Sequence, residues 1–134
     1  MNWLAIVVAA VVQMALGAFW YSPAGFGKQW MKEMKYTDKD IDKAKARGMG
    51  KYYLAAFIGT LVTSAVLALF VSGVGADTVG AGALTAFWLW LGFIVPVLLG
   101  SVLWEQKSVR VYIIGVAYHL VALLVMGSII GGWQ

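Results

Sequence analysis

The sequence predicts an all-α membrane protein, with four transmembrane helices and a short amphipathic, charged cytoplasmic segment between helices 1 and 2. Three observations carry this. The 134 residues are 62% hydrophobic and 12% charged, against roughly 45–50% and 25% in soluble domains, and the mean hydropathy is +0.83. Four apolar runs of about 20 residues, enough to cross ~30 Å of hydrocarbon, contain no Lys, Arg, Asp or Glu. All ten basic residues lie in the first and third connections, which alternation places on one side. Too little chain remains outside the spans for a second domain, so residues 1–134 form one four-helix transmembrane domain.

The first span covers about 3–21. It lacks a basic leader and exceeds the apolar stretch of a secretory signal, so it is expected to be retained. The segment 23–51 follows. A helix over 26–34 puts Phe26, Trp30, Met31 and Met34 on one face and Lys28, Lys32 and Lys35 opposite, the pattern of an interfacial helix on an anionic leaflet, with Glu33 left near the apolar face. Thr37 and Asp40 have capping-box spacing, Asp38, Asp40 and Asp42 suit a helix N-terminus, and Gly48 and Gly50 are expected to stop a helix over 38–47.

The second span covers about 52–71, the third about 81–104 and the fourth about 111–130. Within the third, Pro96 removes a helical N–H and displaces the Gly92 carbonyl, which predicts a bend. Trp3 and Trp133 mark one boundary; Trp20, Tyr21, Tyr52, Tyr53, Trp104 and Tyr112 mark the other. Trp88 and Trp90 lie deeper and are expected to pack in the core or line a pore. By the positive-inside rule the termini lie outside and the charged segment is cytoplasmic. Trp20, Tyr21, Phe26, Lys28, Trp30, Lys32 and Lys35 then form the lipid interface, with the bilayer and its anionic headgroups as partners.

Polar residues at membrane depth are the natural candidates for a site. Gln13 lies ten residues from Trp3, about 15 Å down at 1.5 Å per residue. His119, Thr63, Ser64 and the Gly92 to Pro96 bend fall in the same band. His119 is the only histidine, a residue type able to change charge near neutral pH, and serves either as a hydrogen-bonded link between helices or as a group facing a cavity. Small residues mark helix packing: Gly17, Gly59, Gly115, and the Gly127/Gly131 pair of a Gly-x-x-x-Gly pattern, which serves a homo-oligomer or packing within the chain.

Other chemistry has little support. With no cysteine, one histidine and no carboxylate in the spans, no metal site and no cofactor is expected. There is no phosphate loop and no HExxH, so an enzyme is disfavoured. Acids interleaved with the lysines argue against nucleic acid.

Asn2-Trp3, Gly17-Ala-Phe-Trp20-Tyr21-Ser22-Pro23, Phe26-Gly27-Lys28, Trp30, Trp90-Leu-Gly92-Phe93, Tyr118-His119-Leu120 and Met126-Gly127 together resemble a bacterial membrane family, domain of unknown function 1761. The resemblance runs end to end and implies a small multi-pass protein of the bacterial inner membrane, with no activity or catalytic residues to carry across. The first functional expectation is therefore a homo-oligomeric channel or transporter for a small solute or ion, built around the midplane residues. The alternatives are a structural or partner- and lipid-binding membrane protein and, third, an intramembrane enzyme.

Overall fold

The computed structural model describes residues 2–134. Its elements are α1 (Trp3–Trp20), α2 (Gly27–Met34), α3 (Asp38–Ala46), α4 (Gly50–Gly73), α5 (Val79–Phe93), α6 (Val95–Leu98), α7 (Gly100–Leu103) and α8 (Val109–Gly132), with no strand among the described residues. Four segments are long and apolar enough to cross a membrane: Trp3–Trp20, Gly50–Gly73, Val79–Leu103 and Val109–Gly132.

Local chemistry sets the helix ends. The Asn2 side chain accepts from the N–H groups of Leu4 and Ala5 at 3.1 and 3.2 Å and donates to the Trp133 carbonyl at 3.2 Å, tying the start of α1 to the end of α8. Thr37 and Asp40 form the capping box expected of them, starting α3 at Asp38. The Thr37 backbone N–H and hydroxyl both donate to the Asp40 carboxylate and hold its pKa below the ordinary carboxylate value. Gly48, at φ +86°, turns the chain after α3, whereas Gly50 is not a stop but the first residue of α4. Thr78 caps α5 and Ser108 caps α8.

The third span is interrupted. α5 ends at Phe93, and α6 and α7 follow as single turns separated at Ile94 and Leu99. Pro96 occupies the second position of α6, where a missing N–H costs nothing, so the interruption falls two residues earlier, at Ile94. The Val95 carbonyl accepts from the Tyr112 hydroxyl of α8 at 2.7 Å, so a neighbouring helix satisfies backbone freed at the break.

Packing is uneven along the bundle. Buried residues gather in the half next to the termini, from Ala5 to Gln13 of α1, Thr60 to Val71 of α4, Gly82 and Ala86 of α5 and Ala122 to Gly131 of α8. The core there consists of Ile6, Ala9, Leu67, Ala68, Met126, Ile130 and their neighbours. Beyond Gln13 and Thr60 toward the basic end, only Ile114 of α8 and Gly27 of α2 are buried among the described residues. The third span is the most peripheral, with 6% of its apolar stretch buried against 28–33% in the others.

Candidate functional site

The residues expected to meet at mid-depth divide into two groups. Gln13 and Ser64 are buried, at 8% and 0% exposure, as is Thr60. The Ser64 hydroxyl donates across the bundle to the Ile6 carbonyl at 2.8 Å, linking α4 to α1. Gln13 carries the one buried side-chain oxygen without a hydrogen-bond partner among the described residues, its Oε1. Its backbone carbonyl accepts from the Tyr118 hydroxyl of α8 at 3.2 Å. Thr63, by contrast, is exposed and donates to the Gly59 carbonyl of its own helix at 3.1 Å.

Gly92 and Pro96 are also exposed, whereas Gln13 and Ser64 are buried. His119 is half-buried, its ring 5.0 Å from that of Tyr118, and no hydrogen bond joins it to another described residue. The structure therefore does not bring these six residues into one site. Trp88 is 60% exposed on the outer surface instead of packed in the core, whereas Trp90 packs inward and donates from Nε1 to the Val116 carbonyl at 2.8 Å.

The packing glycines also separate. Gly127 and Gly131 both meet Gly82 of α5; a β-carbon on Gly127 would come within 2.8 Å of the Ala86 β-carbon, and one on Gly131 within 2.8 Å of the Gly82 Cα. Their Gly-x-x-x-Gly surface is thus occupied by α5 of the same chain. Gly17 receives the Tyr118 ring, with the hydroxyl 3.0 Å from where a β-carbon would sit, and Gly115 faces the Tyr21 hydroxyl at 3.9 Å. Around Gly59 there is open space.

The richest convergence of side chains lies at the basic end. After α1, Gly25 and Gly27 pass so close to the carbonyls of residues 19–22 that a β-carbon at either would collide with backbone. That tight turn folds α2 back against α8. The Trp20 indole donates to the Ile114 carbonyl at 3.1 Å, and its ring lies 4.9 Å from Phe26. Tyr21 meets Trp30 and Tyr118 edge-on, each at 5.7 Å, and Trp30 meets Tyr36 at 5.3 Å.

Glu33, the acid that sat awkwardly near the apolar face of α2, finds its partners in another connection. It accepts from the Ser108 hydroxyl at 2.7 Å and pairs with Arg110 at 3.5 Å. Lys28, Lys32 and Lys35 remain exposed.

Glu33, Ser108, Arg110, Tyr112 and Tyr118 are not among the candidate site residues that the sequence alone singles out. The usable signal for the ion pair was an acid on the apolar face of a basic helix, with Arg110 expected at the same end of the bundle. Tyr118 was visible in the Tyr-His-Leu motif, but its contact with Gly17 depends on how α8 is rotated.

Comparison with curated proteins finds no match, and comparison with solved structures finds none either. A family model does match, over residues 4–131, nearly the whole length, and the chain belongs to the family described as Protein of unknown function (DUF1761).

Proposed function

We propose that the protein is a lipid-engaging protein of the bacterial inner membrane, in which the bundle anchors a basic amphipathic platform at the cytoplasmic leaflet. One observation carries this reading. α2 is pinned to α8 through Glu33, Ser108 and Arg110 and to α1 through Tyr21 and Trp30, while Lys28, Lys32 and Lys35 stay exposed. A helix held this way presents fixed cations at headgroup level. By the positive-inside rule this end is cytoplasmic and the termini are outside.

Hydrogen exchange tests the reading. In bilayer discs, α2 amides should exchange about tenfold more slowly with phosphatidylglycerol present than in pure phosphatidylcholine, because each Lys near an anionic surface adds attraction. Equal rates in the two lipids would remove the reading.

A second reading, passage of a small solute or ion across the membrane, draws on the unpaired Gln13 oxygen. Gln13→Leu separates the two. If Gln13 is only packed, leucine removes an unsatisfied buried group and raises stability by about 1–3 kcal/mol, with solute flux into proteoliposomes unchanged. If Gln13 serves transport, the flux falls, and it falls with His119→Ala as well.

A further inference from the structure

Between α2 and α8, at the basic end, lies a cleft of about 370 Å³ lined by Phe26, Gln29, Lys32, Glu33, Arg110, Ile113 and Ile114. Its chemistry is divided. Phe26, Ile113 and Ile114 give it an apolar wall, and Ile113, at 55% exposure, carries that wall out onto the surface of α8. Gln29, Lys32, Glu33 and Arg110 give it a polar rim. A ligand filling it would be hydrocarbon at one end and polar at the other.

The charges narrow the polar end. Lys32 and Arg110 against Glu33 leave one net positive charge. Glu33 is already engaged by Arg110 and Ser108, and its side chain is 22% exposed where that of Arg110 is 79% exposed. Arg110 therefore has N–H donors free, since a guanidinium carries five. Lys32 forms no ion pair among the described residues. One phosphodiester, bearing a single negative charge, matches two donors of this kind and neutralises the cleft.

A zwitterionic headgroup fits less well, because its ammonium would enter a cleft whose only carboxylate already has two partners. We infer that this cleft binds one glycerophospholipid of net charge −1, its phosphate between Lys32 and Arg110 and its acyl end along Phe26 and Ile113. The inference rests on the reading that the basic end meets an anionic leaflet, and it adds a discrete site to that diffuse attraction.

Native mass spectrometry of the delipidated full chain in neutral detergent tests it, with phosphatidylglycerol, phosphatidylcholine and glycerol 3-phosphate as probes. One phosphatidylglycerol should be retained per chain, with phosphatidylcholine and glycerol 3-phosphate each at least about tenfold weaker. Lys32→Ala and Arg110→Gln should each weaken phosphatidylglycerol about tenfold, the worth of one charge-assisted hydrogen bond. Lys45→Ala, an exposed residue of α3 outside the cleft, should leave it unchanged, and Lys32→Gln repeats the loss without shortening the side chain to a methyl group.

Equal binding of the two lipids, or binding of glycerol 3-phosphate as tight as that of the lipid, overturns the site. So does an equal effect of Lys45→Ala and Lys32→Ala, and in that case lipid-dependent slowing of α2 exchange would still uphold the broader reading. Loss of both signals removes both.

Discussion

Replacing Gly127 by valine is expected to detach α5 from α8. The new β-carbon would press on the Gly82 carbonyl and the Ala86 β-carbon, and neither backbone can yield without separating the helices. The cost is placed at about 3 kcal/mol, the upper end for overpacked sites, because the obstacle is backbone and not the tip of a flexible side chain. An unfolding titration in detergent measures it. Gly59→Val is the matched control. In sequence Gly59 has the same small-x-x-x-small context, but it faces open space, and its substitution should change stability by less than about 0.5 kcal/mol. Equal costs at the two positions would mean that the α5–α8 contact is misplaced.

The second large effect is expected at Gly27→Val. A β-carbon there would meet the Tyr21 carbonyl and come within 2.7 Å of the Ser22 carbonyl, in the turn where the Gly27 N–H itself donates to Ser22 at 3.0 Å. The turn must open and α2 must leave α8. A cost of about 2 kcal/mol corresponds to a roughly 30-fold rise in local opening, read as faster amide exchange over 27–34. The four spans should keep their protection, because their core lies in the opposite half of the bundle. Phospholipid retention should fall with it, since Phe26, Gln29, Lys32 and Glu33 move together. If α2 keeps its slow exchange, the turn does not hold the platform.

The spans were legible because a run of apolar residues long enough to cross a bilayer is a one-dimensional signal, and their ends agree with the structure to within a few residues. The Thr37 cap was legible for a similar reason, since its two partners are three residues apart. What the sequence could not show was rotation about each helix axis. A helix that is apolar all round has no polar stripe to orient it. Gly59 and Gly127 therefore read alike although one faces open space and the other a backbone. For the same reason Gly92 and Pro96 share a depth with Gln13 and Ser64 in sequence although the first two are exposed and the last two buried. The Glu33–Arg110 pair joins residues 77 positions apart and depends on how two connections fold over one another, which no spacing within either reveals.

The central claim is that α2 is a fixed platform with one face on the bundle and its lysines at the lipid headgroups. A nitroxide scan along 28–34 in bilayers containing phosphatidylglycerol tests this most directly, and the absence of native cysteine lets each label be placed singly. Mobility and oxygen accessibility should oscillate with a period of about 3.6 residues, lowest at Trp30 and Glu33 and highest at Lys28 and Lys32. A flat profile of mobile, water-exposed labels along the whole segment would contradict the account.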